Sequence, residues 1–127
     1  MAARILVVED DPQNLYLVKF LLERAGHEVI IAVDGSQAVE VALENGPDLI
    51  LMDMLLPRMD GWAATRALKG DHGLKVPIIA LTAYSMKGDR ESILNAGCDG
   101  YISKPIDPET FVAQVEEHLS AQVGESG

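Results

Sequence analysis

Residues 48–61 read DLILMDMLLPRMDG, and the interpretation of the rest of the chain depends on this segment. The apolar run 49–52 is typical of a strand that is buried on both faces of a sheet. The run ends on a carboxylate, Asp53, and the following Pro57 cannot continue a ladder of hydrogen bonds. A helix can start at Asp60. An acidic side chain at the carboxyl end of a buried strand is well placed to meet a ligand.

Five apolar runs predict five strands. They cover residues 5–8, 29–32, 49–52, 78–81 and 101–102. Each gap between successive runs is long enough for the crossover helix that parallel strands require.

The segments between the runs read as helices with recognisable starts and stops. Four of them open at an aspartate: Asp11, Asp34, Asp60 and Asp107. Asp11 and Asp60 are the expected N-caps, and proline follows Asp11 and Asp107. The third helix is expected to stop near Gly70, before a polar, glycine-rich connection that we expect to be mobile. The remaining helix, about residues 87–96, is the weaker fourth one and ends at Gly97.

Strict alternation of strands and helices predicts an α/β fold. Five strands with right-handed crossovers most simply give a doubly wound, flavodoxin-like (βα)5 parallel sheet of order 2-1-3-4-5. The winding then reverses between the first and third strands, and ligands bind outside the carboxyl ends of the strands at such a point. We expect one domain over residues 1–122 and a short flexible tail over 123–127.

Composition limits the classes of function. The 127 residues are 48% hydrophobic and 24% charged, which is a globular composition. A net charge of −10 argues against non-specific binding of nucleic acid. A single cysteine, Cys98, fits a reducing compartment. The start, MAARILVVED, lacks the features of a signal peptide and no apolar run is long enough to span a membrane, so we expect a soluble, cytoplasmic protein.

Polar side chains follow the predicted strands at their carboxyl ends. Glu9 and Asp10 follow the first strand, Asp53 the third, Thr82 the fourth and Lys104 the fifth. Three converging carboxylates repel one another unless a cation lies among them, and oxygen ligands favour Mg²⁺. A lysine beside them suits phosphate. Together these groups indicate chemistry through an aspartyl phosphate.

Four segments carry a resemblance to a known family. VVEDD (7–11), LMDMLLPRMDG (51–61), LTAYSMKGD (81–89) and YISKPI (101–106) resemble the receiver domain of two-component response regulators. The sequences of the last two segments are similar to those of single-domain regulators of the DivK type and of receivers of hybrid histidine kinases.

The resemblance implies roles for the acidic residues. Asp53 would accept the phosphoryl group, Asp10 would ligate Mg²⁺ directly, and Glu9 would help through water. The backbone carbonyl of Leu55 would complete the protein ligands, and Lys104 would bind the acyl phosphate. The bond between Lys104 and the following proline is expected to be cis.

The resemblance also implies a conformational switch. Thr82 and Tyr101 would form the switch pair, while Ala83 would leave room for the phosphoryl group and lend its backbone N–H. The donor would be a histidine kinase or a histidine phosphotransfer protein. A downstream protein partner would bind the face formed by the fourth helix, fifth strand and fifth helix, and the chain would be a monomer or a weak dimer.

Two residues that flank the path of an attacking water predict a long-lived phosphate. Leu55 and Tyr84 are apolar or bulky, so neither orients water well and both can obstruct it. We therefore expect slow self-dephosphorylation.

The remaining candidates are assigned structural roles. We interpret the three histidines as solvated, Cys98 as small packing and Trp62 as a partly covered surface aromatic; the histidines are His27, His72 and His118.

Three alternatives remain open at this point. A haloacid-dehalogenase-like phosphatase also uses an aspartate nucleophile and Mg²⁺, but it needs a second aspartate where Leu55 stands and more chain for a cap domain. A degenerate receiver would act as a constitutive scaffold, although the residues needed for phosphorylation are present. The chain could also be a receiver excised from a hybrid histidine kinase.

Overall fold

The protein is described here by a computed structural model that covers residues 2–54, 60–83 and 87–126. The strands in this part of the chain are β1 Arg4–Val8, β2 Glu28–Ala32, β3 Leu49–Asp53, β4 Ile78–Thr82 and β5 Gly100–Ser103. The helices are α1 Pro12–Arg24, α2 Gly35–Asn45, α3 Gly61–Arg66, α4 Lys87–Asn95 and α5 Phe111–Ser126. The five predicted strands are therefore confirmed, each to within two residues at either end.

The strands form one parallel sheet in the order β2-β1-β3-β4-β5. The predicted order is confirmed. Val8 at the end of β1 pairs with Ala32 of β2 on one side and with Met52 of β3 on the other. The winding reverses here, so the carboxyl ends of β1 and β3 lie side by side and open toward the same ligand position.

Helices cover both faces of the sheet, and alternate strand residues therefore enter two separate cores. One core, here called the α2–α4 core, contains Leu6, Val8, Ile50 and Met52 together with buried side chains from α2, α3 and α4. The other contains Ile5, Val7, Leu49 and Leu51 together with buried side chains from α1 and α5. Every residue of β3 and β4 is buried, which is why these strands read as continuous apolar runs.

The predicted helix caps at Asp11 and Asp60 are confirmed, and Asp34, expected to be the first residue of the second helix, is a cap as well. The carboxylate of each accepts a hydrogen bond from a backbone N–H in the first turn of the helix that follows. The caps at Asp11 and Asp60 set where α1 and α3 begin, close to the carboxyl ends of β1 and β3 in the fold.

Two helix boundaries differ from the expectation. Asp107 caps a turn, because its carboxylate accepts from the N–H of Glu109, and α5 begins at Phe111. α5 continues through Ser126, into the segment 123–127 that we expect to form a short flexible tail, and the flexibility of that segment stays a prediction. Residues 123–126 contain no proline, and the one glycine among them, Gly124, costs a helix only about 1 kcal/mol.

The third helix also ends differently from a regular α-helix. After α3 the chain continues as a wider π-helical turn, Ala67–Asp71, closed by a hydrogen bond from the N–H of His72 to the carbonyl of Ala67. Of the helices in the described ranges, none has the length and apolarity to cross a membrane.

Candidate functional site

The carboxyl ends of β1, β3, β4 and β5 enclose a cleft of about 230 Å³. It is lined by Glu9, Asp10, Asp11, Asn14, Asp53, Thr82, Ala83 and Lys104. Six of these eight residues were predicted from strand-end position or from the resemblance. A larger cavity lies at the opposite ends of the strands, but Arg4 within it is already paired with Glu28 at 3.0 Å.

Three carboxylates converge in the cleft. Glu9, Asp10 and Asp53 each present an oxygen atom within 4.8 Å of the others. Glu9 is fully buried and Asp53 is only 5% exposed, whereas Asp10 is open to solvent. The backbone N–H of Asp11 donates to Glu9 Oε2 at 3.2 Å and helps to fix that side chain. The predicted convergence of these three residues is confirmed.

Lys104 points into the same cluster. Its Nζ atom lies 3.1 Å from Glu9 Oε1 and 3.3 Å from Asp53 Oδ2. Its backbone N–H donates to the carbonyl of Thr82 at 2.8 Å, which ties the end of β5 to the end of β4. The Lys104–Pro105 peptide bond is cis, as predicted.

Burial and neighbouring charges together shift the pKa values of Glu9 and Lys104. The pKa of Glu9 is raised to about 7, mainly by burial and further by a hydrogen bond and the like charge of Asp53, against the opposing charge of Lys104. Burial alone would lower the pKa of Lys104, but the carboxylates of Asp53 and Glu9 outweigh burial and raise this pKa. These groups therefore favour the protonated form of Glu9 over a wider pH range than an ordinary glutamic acid has.

The donor atoms suit a hard divalent cation. Glu9 Oε1 is buried and makes no hydrogen bond within the described residues, although Lys104 Nζ is close. Three carboxylates, one of which has a buried oxygen that makes no hydrogen bond within the described residues, fit Mg²⁺, because this ion prefers oxygen ligands. Leu55, whose carbonyl the resemblance assigns to the metal, lies outside the described residues, and so does Tyr84.

Thr82 and Ala83 lie at the carboxyl end of β4, and Tyr101 lies on the neighbouring strand β5. Thr82 is buried, with 3% of its surface exposed, and Ala83 is exposed at the rim of the cleft. Tyr101 is half-buried on β5, where it pairs with Ala80. It packs against the α2–α4 core and does not line the cleft.

The interpretation of His27 as a solvated residue is wrong. Its side chain is buried, its Nδ1 accepts a hydrogen bond from the backbone N–H of Ala3 at 3.1 Å, and its Nε2 lies 2.9 Å from Glu116 Oε2. Since Nδ1 accepts, Nε2 carries the proton in the neutral ring. The turn after α1 folds His27 under the start of β1, and local sequence gives no signal for this contact.

The other two histidines differ from each other. His72 is exposed, as expected, whereas His118 is half-buried and lies against Gly100: a Cβ atom at Gly100 would be 2.6 Å from its Cε1. The expectation of a solvated His118 is therefore wrong, because glycine on β5 leaves room for its ring.

Of the two lining residues that were not predicted for the cleft, Asp11 was expected only as a helix cap and Asn14 was missed altogether. Asn14 lies in the first turn of α1 and its Nδ2 donates to Asp11 Oδ2 at 3.0 Å. Its position three residues after a strand-end cap is the signal that could have identified it.

Trp62 and Cys98 occupy the structural positions expected of them. Trp62 is half-buried, and its Nε1 donates to Ser92 Oγ of α4 at 3.0 Å. Cys98 is buried, its Sγ lies 3.8 Å from Thr65 Oγ1, and burial raises the pKa of its thiol to about 11.

Comparison with known proteins identifies the family. The response regulator receiver domain family matches residues 5–116. The chain is 42% identical over 120 residues to the polar-differentiation response regulator DivK of Brucella ovis, covering 94% of this chain and 98% of that protein.

Solved structures are similar as well. The receiver domain of a signal transduction histidine kinase from Syntrophus aciditrophicus has a TM-score of 0.84 and 37% identity, over 94% of this chain and 91% of that one. The receiver domain of the sensor histidine kinase PA1611 from Pseudomonas aeruginosa, solved with a magnesium ion coordinated in its active-site cleft, has a TM-score of 0.81 and 38% identity, over 98% of this chain and 99% of that one. This chain is therefore a member of the response regulator receiver domain family of two-component signalling.

Proposed function

We propose that the chain is a phosphoacceptor switch of a two-component phosphorelay, in which Asp53 accepts a phosphoryl group from a phosphohistidine on a partner. The observation that carries this proposal is the setting of the Asp53 carboxylate. It lies in an open cleft, 3.3 Å from Lys104 Nζ and within reach of two further carboxylates. A nucleophile, a phosphate-binding cation and an oxygen-ligand set are thus present at one point.

The transfer is a displacement at phosphorus. A carboxylate oxygen of Asp53 attacks in line, the O–P bond forms, and the P–N bond to imidazole breaks. The imidazole nitrogen takes the electron pair and leaves as the neutral ring after it gains a proton. Lys104 neutralises charge on the transferred oxygens, because its ammonium group already lies beside the Asp53 carboxylate.

Asp10, Asp53 and Glu9 would hold Mg²⁺, with the Leu55 carbonyl as a further ligand implied by the resemblance. Bound there, Mg²⁺ supplies positive charge for the phosphoryl oxygens. The related PA1611 receiver, which has a magnesium ion in its active-site cleft, supports this assignment.

Phosphorylation would be communicated through Thr82 and Tyr101. The Thr82 hydroxyl moves toward the phosphate, and Tyr101 fills the space that it leaves. The α4–β5–α5 surface then changes its affinity for a downstream protein. The two positions of Thr82 and Tyr101 differ in free energy by a few kcal/mol, and the phosphate on Asp53 shifts the populations of the two positions. The donor is a histidine kinase or a histidine phosphotransfer protein.

The role is that of a signalling domain. A phosphatase of the haloacid-dehalogenase type would need an acid two residues after the nucleophile, where this sequence has Leu55. Both a stand-alone regulator and a kinase receiver are represented among the similar proteins.

Phosphoimidazole tests the donor chemistry without a partner protein. We expect about one equivalent of imidazole to be released per chain, followed by proton NMR, only when Mg²⁺ is present. Asp53→Asn should release none, whereas Asp71→Asn, which removes an exposed carboxylate outside the cleft, should behave as wild type. Equal release by the Asp53 variant would refute the proposal.

A further inference from the structure

Tyr101 lies at the boundary between the sheet and α4. It pairs with Ala80 of β4, and Thr82 is two residues further along the same strand. Alternate residues of a strand project from the same face, so the side chains of Thr82 and Tyr101 lie on one face of the sheet as neighbours on adjacent strands. The ring is half-buried, which leaves part of it accessible to a side chain from α4.

Arg90 of α4 faces this ring. Its guanidinium carbon lies 5.2 Å from the Tyr101 ring centroid, within the range of a cation–π interaction. Ile93, one helical turn further on, is fully buried in the α2–α4 core and fixes this side of α4 against the sheet. Within the described part of the chain, no carboxylate forms an ion pair with Arg90, so its charge is available to the ring.

We propose that Arg90 is a positioning residue for Tyr101: its guanidinium holds the ring at the α4–β5 surface and opposes movement of the ring toward Thr82. The inference rests on the proposed function, in which that movement follows phosphorylation of Asp53. The contact exists only while the ring faces Arg90. The contact therefore favours the resting position of the ring, because an interaction shifts an equilibrium by the difference in its free energy between the two states.

The size of the bias follows from the type of contact. A cation–π interaction at an exposed site changes an equilibrium constant by about two- to fivefold. Loss of the guanidinium should raise the unphosphorylated population of the inward ring position by that factor. If phosphorylation occurs in the state with the ring inward, labelling by a small donor becomes faster by the same factor. This proportionality holds as long as that state remains the minor one.

The test compares Arg90→Gln with two matched variants. Arg90→Lys keeps a cation at the position, and Arg66→Gln removes the same charge from an exposed arginine of α3. Proteins labelled with ¹³C-tyrosine give ring signals for three tyrosines, and Tyr101→Phe assigns the relevant one. Wild type treated with acetyl phosphate and Mg²⁺ shows in which direction the Tyr101 ring signal shifts on phosphorylation.

We expect the Tyr101 signal of unphosphorylated Arg90→Gln to move toward the phosphorylated position, with Arg90→Lys moving less and Arg66→Gln unchanged. An unmoved signal in Arg90→Gln, a shift in the opposite direction, or an equal shift in Arg66→Gln would each overturn the inference. The proposed function fails by a separate observation, namely absence of a mass increase on wild type after treatment with the same donor.

Discussion

Gly61 gives the sharpest test of how β3, the strand that ends at Asp53, is positioned. A Cβ atom at this residue would lie 2.6 Å from the carbonyl oxygen of Asp53, 2.6 Å from Met54 Cα and 2.9 Å from Met54 Sδ. The N–H of Gly61 also donates to the carbonyl of Met54 at 3.2 Å. The start of α3 therefore packs directly on the end of β3, and only glycine fits there.

The expected cost of Gly61→Ala follows from that geometry. Reaching an ordinary contact of 3.4 Å requires backbone atoms to separate by about 0.8 Å, in a strand that is buried along its whole length. Overpacking of this kind costs about 3 kcal/mol. With an unfolding entropy of about 2.1 cal/mol/K per residue over 127 residues, the melting temperature should fall by roughly 11 °C.

Urea unfolding and a thermal melt measure this cost. The matched control is Gly70→Ala, where no heavy atom lies within 4 Å of the added Cβ and the backbone is not left-handed. We expect the control to be neutral or stabilised by about 0.5–1 kcal/mol, because alanine loses less backbone entropy than glycine on folding. If Gly61→Ala is as stable as Gly70→Ala, the reasoning about close packing behind Asp53 is refuted.

Three further predictions concern the acidic cluster and the lifetime of the phosphate. Folding raises the pKa of Glu9 from 4.5 to about 7, so the folded state binds this proton more tightly than the unfolded state does. The resulting contribution to stability is fully present below about pH 4.5 and is lost as the pH rises through 7. Metal-free protein should melt at a lower temperature at pH 8 than at pH 5, and Glu9→Gln should reduce that difference; an undiminished difference would assign it to other groups. Asp10→Ala should keep the fold and, without Mg²⁺, should melt no lower than wild type, because a like charge is removed from the cluster. It should also lose the stabilisation that Mg²⁺ is expected to give wild type. A marked loss of stability in the metal-free variant would contradict this prediction. Leu55→Asn combined with Tyr84→Glu should speed loss of phosphate at fixed Mg²⁺ about tenfold, equivalent to about 1.4 kcal/mol of barrier, and an unchanged decay would show that these side chains do not control access of water.

Much of the fold follows from local sequence because its central strands, β3 and β4, are buried along their whole length. The run 49–52 is apolar without interruption, and both cores receive residues from it. The crossover rules then leave few strand orders, and the strand-end positions of Asp53 and Lys104 become neighbours once the order is set.

The parts that sequence did not reveal depend on contacts between distant segments. His27 is buried because the N–H of Ala3 and the carboxylate of Glu116 reach it from 24 and 89 residues away. The contact of Arg90 with Tyr101 joins a helix to a strand across a loop, and no spacing rule within α4 predicts it. Such contacts are set by packing in three dimensions.

The central claim is that Asp53 is the acceptor and that Mg²⁺ is required. Intact-mass measurement after incubation with acetyl phosphate tests it most directly, with wild type, Asp53→Asn and Asp71→Asn treated side by side with and without Mg²⁺. We predict an acid-labile mass increase of one phosphoryl group on wild type and Asp71→Asn in the presence of Mg²⁺ alone, and none on Asp53→Asn. Undiminished labelling of Asp53→Asn, or equal labelling of wild type without Mg²⁺, would contradict the claim.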